Sequence, residues 1–220
     1  MTVTELVARL GGTGRLGDDL YLMAHHDVTG RPYLQPRATG LGLAGALLAE
    51  LVLAGQLRFR PQGIVVTGGA LPAEWLAGRV LSQVAGERVQ YATGEWLAFL
   101  ARTAARDVAA RLEHGGYLAR VPSRRPWRGG RWVPVDSDCA FVPLTRARAA
   151  LDPSRPLTAT GAALAGLAAA CGLGSRLLSY AAPGASRTPE DAVRALPRGL
   201  QDLIAQTRAA VDSAVLAQRA

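Results

Sequence analysis

The chain contains no lysine. All 25 of its basic residues are arginine, against 17 acidic residues, which gives a formal net charge of +8. The sequence pI is about 10.6. Arginine stays protonated and presents a planar fork that pairs with phosphate through two hydrogen bonds, so the composition favours an anionic partner without naming it. Aromatic residues are also scarce, at 5%. Alanine and leucine therefore supply most of the apolar volume, which favours helices over sheets. Cys139 and Cys171 are the only cysteines. Two are too few for a disulfide framework and fit a reducing compartment. The longest apolar run, 41–55, carries Glu50 and falls short of the roughly 20 residues of a transmembrane helix. The first residues lack the basic start and apolar stretch of a signal peptide. The expectation is a cytoplasmic protein whose membrane contact, if any, is peripheral.

Catalytic signatures are missing as well. There is no HExxH or CxxC metal pair, no GxSxG nucleophile elbow and no GxxxxGK[ST] phosphate loop. Gly12-Thr-Gly14-Arg-Leu-Gly17 has the GxGxxG spacing of a dinucleotide loop. Such a loop works only after a buried strand and at the start of a helix. Here 2–10 reads as amphipathic helix and no βαβ run follows, so 11–17 reads as a linker. His25-His26-Asp27 has only His114 as a further histidine, too few groups to converge on a metal, and reads as a polar helix end. Cys139 and Cys171, set among apolar residues, read as core thiols. No catalytic residue, metal or cofactor is expected.

Helical periodicity is present in abundance. Helices are predicted over 18–26, 39–54, 72–85, 94–114, 144–151, 157–173, 174–180 and 197–218. Two hairpins are predicted, 57–60 with 64–66 and 117–121 with 131–135. The fold class is mainly α, a single helical domain over 16–220 with a central buried helix at 39–54, preceded by an N-terminal segment at 1–15.

Two regions carry candidate binding residues. In 94–114, Leu97, Leu100, Ala104, Val108 and Leu112 form an apolar stripe. Arg102 and Arg106 lie four apart on the opposite face, where they can grip one phosphate or simply be solvated. The segment 117–148 holds seven arginines (120, 124, 125, 128, 131, 146 and 148) with Trp127 and Trp132. Its tip, Arg124-Arg125-Pro-Trp127-Arg128, reads as a membrane-interface anchor, a subunit contact, a wing that holds nucleic acid, or an ordinary exposed hairpin.

The order of features resembles the Golgi phosphoprotein 3-like family. The residues that carry the resemblance are Asp18-Asp-Leu-Tyr-Leu-Met23, His26-Asp-Val-Thr-Gly30 and the run from Gly42-Leu-Ala-Gly to Gln56-Leu57. Arg111-Leu-Glu-His-Gly-Gly-Tyr-Leu118 before a hairpin and Thr207-Arg-Ala-Ala-Val211 near the C-terminus add to it. The resemblance implies an all-α fold and a non-enzymatic peripheral membrane protein that binds phosphatidylinositol 4-phosphate. It also implies protein clients and oligomers formed through the hairpin. Of the four residues of that family's lipid pocket, Arg102 matches one. Gln35 stands at a tryptophan position, and Ala44 and Ala105 stand at basic positions. Arg106 and Arg37 lie where they can substitute. The expected partner is therefore an anionic lipid, with Arg102, Arg106, Arg37 and Gln35 at its headgroup. Arg124, Arg125, Trp127, Arg128, Arg131 and Trp132 are expected to touch the membrane or a neighbouring subunit. Nucleic acid is the less favoured partner. The lysine-free, alanine-rich composition points to a high-GC bacterial gene.

Overall fold

The helix Pro36–Leu53 (α2) organises the chain around itself. It is apolar on all sides, starts with proline at its first turn and is buried along thirteen of its eighteen residues. By length and composition alone it could cross a membrane; here its apolar surface is covered by other helices. Glycines let those neighbours approach closely. A Cβ at Gly40 would lie 2.6 Å from the Ala101 carbonyl oxygen, and one at Gly45 would lie 2.5 Å from Thr207 Oγ1.

The structure is a computed structural model that describes residues 13–60, 63–68, 72–87, 89–122, 130–179 and 187–217. Among these residues there are ten helices and two antiparallel strand pairs. The helices besides α2 are Leu16–Met23 (α1), Trp75–Gly86 (α3), Thr93–Ala101 (α4), Ala104–His114 (α5) and Ser137–Ala150 (α6). The last four are Ala159–Ala170 (α7), Gly174–Leu178 (α8), Pro189–Arg194 (α9) and Arg198–Leu216 (α10). The strand Leu57–Arg60 (β1) pairs with Gly63–Val66 (β2) in the register Leu57 to Val66. Leu118–Val121 (β3) pairs with Arg131–Pro134 (β4) in the register Leu118 to Pro134. The helices α1, α4, α5, α7 and α10 all pack on α2. The mainly α reading stands, as do the central helix and both hairpins.

Three expectations need correction. The helix predicted over 94–114 is two helices. Arg102 ends α4 in helical geometry, and Thr103 leaves it with φ −124° and ψ −16°. The apolar stripe keeps its phase across this break: Leu97, Leu100, Ala104, Val108 and Leu112 are all buried. Nothing in the side chains at 101–103 enforces the break. The helix expected from Leu144 begins instead at Ser137, where Asp136 Oδ1 caps it by accepting from the Asp138 and Cys139 N–H groups. It then runs through Pro143. Gly17, expected in a linker, is buried in α1; its N–H donates to Glu50 Oε1 at 2.7 Å. The expected helix at 2–10 and Gly12 lie outside the described residues.

Candidate functional site

Gln35 is the residue just before α2, and its side chain makes no cap hydrogen bond. Arg37 lies in the first turn, which holds no acidic residue. An 18-residue helix thus begins with unpaired N–H groups beside an exposed arginine, an arrangement that favours negative charge. Arg37 is one turn ahead of Gly40 on the same face. Because Gly40 meets the Ala101 carbonyl, the start of α2 sits beside the end of α4, where Arg102 is exposed. Arg106 is exposed four positions on, in the first turn of α5, with its Nε 3.6 Å from Asp107 Oδ1. The second carboxylate oxygen of Asp107 pairs with Arg79. Ala44 is fully buried and Ala105 half-buried, so neither takes part in a surface site.

The other expected residues are placed differently. Arg131 is exposed on β4. Trp132 is half-buried, donates from Nε1 to Glu113 Oε2 at 3.0 Å and lies under Arg120, 5.5 Å from the ring centre. Arg124, Arg125, Trp127 and Arg128 lie outside the described residues. Two more arginines of this segment are engaged with the fold. Arg146 Nη2 donates to both oxygens of Asp19 at 2.7 Å, and Arg148 donates to the Arg176 carbonyl at 2.7 Å. His25 stacks on Tyr21, and His26 Nδ1 accepts from the Val28 and Thr29 N–H groups. Among the described residues no three His, Cys, Asp or Glu side chains converge as a metal site.

The sequence reading missed a buried ionic centre. Arg111, on α5, is 5% exposed. Its Nε donates to Asp18 at 2.7 Å, Nη2 to Glu50 at 3.0 Å, and Nη1 to Glu50 and Glu74 at 3.1 Å each. One guanidinium thus ties α1 and α2 to the start of α3. Glu74 also caps α3 through the Leu76 and Ala77 N–H groups. The four charges come from positions 18, 50, 74 and 111, so no local spacing marks them; the GLAGALLAEL run holds the only hint, a lone acid in an apolar helix.

This centre sets a pH dependence. Burial pushes the Asp18 carboxyl up to about 6 and the Asp19 carboxyl up to about 7, despite Arg111 and Arg146 beside them. Both ordinarily titrate near 3.8. The folded protein therefore holds these two protons more tightly than the unfolded chain, and stability rises as pH falls from about 7 towards about 4. Glu74 acts in the opposite sense. Burial raises it, but two backbone N–H groups and Arg111 outweigh burial and hold it below its ordinary 4.5. Its contribution is lost as pH falls through that lowered value. Melting temperature measured across a pH series is expected to rise as pH falls from about 8 to about 5. A steady fall from pH 8 to pH 5 would contradict these directions.

A family model described as Golgi phosphoprotein 3 (GPP34) matches residues 16–217 of the 220. The chain belongs to the Golgi phosphoprotein 3 family. No curated protein matches it. The match begins at the first residue of α1 and ends one residue past α10. The Golgi phosphoprotein 3 fold in this chain thus includes the whole Arg111 centre and the junction of α2 with α4.

Proposed function

We propose that this member of the Golgi phosphoprotein 3 family is a non-enzymatic peripheral membrane protein that binds an anionic lipid headgroup at the junction of α2 and α4. The observation that carries the reading is the close approach of Gly40 to the Ala101 carbonyl. It brings the uncapped start of α2, which carries Arg37, against the end of α4, where Arg102 is the C-cap and Arg106 follows in the first turn of α5. Helix N–H groups and two or three arginine forks are the donors a phosphate monoester or diester accepts from. An anionic leaflet adds about 1 kcal/mol for each arginine near its surface. Gln35 replaces an aromatic wall with a polar amide, so the site grips charge more than ring shape. This supports a general anionic-lipid preference over strict recognition of one phosphoinositide.

Arg102 and Arg106 are both exposed, so replacing them leaves the core intact. The variant carrying Arg102→Ala and Arg106→Ala is expected to bind anionic vesicles at least tenfold more weakly, with an unchanged melting temperature; about 1.4 kcal/mol of lost attraction is tenfold. Vesicle co-sedimentation measures it. Parent-like binding by the double variant would remove these residues from the headgroup site.

A further inference from the structure

A cavity of about 260 Å³ lies between the end of α3 and the first turns of α4. Among the described residues it is lined by Glu87, Tyr91, Glu95, Trp96 and Phe99, three aromatic rings and two carboxylates. Trp96 is 5% exposed and forms a fixed floor. Tyr91 stands at 89° to it and Phe99 at 86°, each with its ring centre 5.9 Å away. Two walls perpendicular to one floor make an open box. Trp96 and Phe99 are one turn apart on α4, so the helix itself sets their spacing. Glu95 is held in place by accepting from the Ala92 N–H at 2.8 Å. Tyr91 and Phe99 remain 37% and 46% exposed, which the packing of the core does not require.

Aromatic faces carry negative electrostatic potential, and carboxylates at the rim add to it. Such a box attracts a cation over its rings. Rings offer no lone pairs for a metal ion, and a primary ammonium is strongly hydrated. A trimethylammonium group spreads its charge over methyls that pack against aromatic faces. We propose that this box binds a small quaternary ammonium ion of the choline class. A neighbouring cleft of about 370 Å³ shares Glu87, Tyr91 and Trp96 and continues past Val66 and Val84, which leaves room for a substituent on the ammonium. The same headgroup occurs in free solutes and on zwitterionic lipids. The site lies apart from the arginines at the α2 and α4 junction and stands or falls independently of them.

The test titrates the full chain with choline and with 3,3-dimethylbutan-1-ol, its neutral carbon isostere, followed by saturation transfer to the methyl protons and by calorimetry. Choline is expected to bind at least about tenfold more tightly than the alcohol, because only the charged head gains from the rings and carboxylates. Phe99→Leu and Glu87→Gln alter exposed side chains and should each weaken choline several-fold at unchanged melting temperature. Phosphatidylcholine vesicles distinguish the sources. Vesicle binding that choline competes away, and that Phe99→Leu abolishes, assigns a lipid headgroup. Choline binding without vesicle binding assigns a free solute. The proposal is overturned by absent choline binding, by equal binding of the alcohol, or by choline affinity that both variants leave intact.

Discussion

Replacing Arg111 with methionine is expected to lower the free energy of unfolding by about 3–5 kcal/mol. The arginine is buried, and all its nitrogens face carboxylates drawn from three places in the chain. Methionine fills most of the space but leaves Asp18, Glu50 and Glu74 together without a cation. The side chain of Asp18 is only 2% exposed, and those of Glu50 and Glu74 are 13% and 16% exposed. Uncompensated buried charge is costlier than the ion pair was favourable, which is why removing one partner hurts more than replacing the whole network. The strength of the coupling is visible in the arginine itself. Burial alone lowers the pKa of Arg111, yet Glu50 and Asp18 outweigh burial and hold it above its ordinary range. A typical domain has only about 5–15 kcal/mol in total, so this loss threatens folding at growth temperature. Arg111→Lys should recover little, since a point charge on a flexible stem cannot span three carboxylates. Urea denaturation measures both variants. A methionine variant within about 0.5 kcal/mol of the parent would show that the centre is not an organising contact.

Gly40→Ala is expected to cost up to about 2 kcal/mol, the balance of two opposing effects. Alanine gains about 1 kcal/mol over glycine inside a helix. Against this, its Cβ would lie 2.6 Å from the Ala101 carbonyl oxygen and 3.4 Å from the carbonyl carbon. That neighbour is backbone and cannot rotate away, so α2 and α4 must separate. Overpacking of this kind costs about 1–3 kcal/mol, and the clash prevails. Because the same contact holds the start of α2 against the end of α4, where the proposed headgroup site lies, lipid binding should weaken with stability. Gly94→Ala is the control. A Cβ there meets nothing within 4 Å, so the propensity term acts alone and the protein should gain up to about 1 kcal/mol. If Gly40→Ala matches that gain, the two helices are not in close contact.

The outcome at individual residues shows what a single sequence discloses. The central helix was legible because residues 39–54 are apolar on nearly every face, which marks a core helix or a membrane span, and Glu50 with the short run spoke against the span. The hairpins were legible from turn residues between short alternating runs. Arg102 and Arg106 were legible from helical spacing opposite the apolar stripe and Arg37 through the family resemblance, but the approach of α2 to α4 depends on Gly40 touching Ala101, which no local pattern encodes. Asp18 and Asp19 read as ordinary acids at a helix start; their partners Arg111 and Arg146 lie 93 and 127 positions away. The break after Ala101 was hidden because the apolar stripe continues in phase across it. Tyr91, Trp96 and Phe99 carry core-like residue types, and only the ring angles reveal an open box.

The most direct measurement of the central claim is co-sedimentation of the full chain with vesicles matched in surface charge. One set carries phosphatidylinositol 4-phosphate and the other phosphatidylglycerol, each at low and physiological salt. The account predicts binding to both, with little preference for the phosphoinositide and a clear decline as salt rises. Binding to neither set at low salt would contradict it, and the junction of α2 with α4 would no longer be a lipid site.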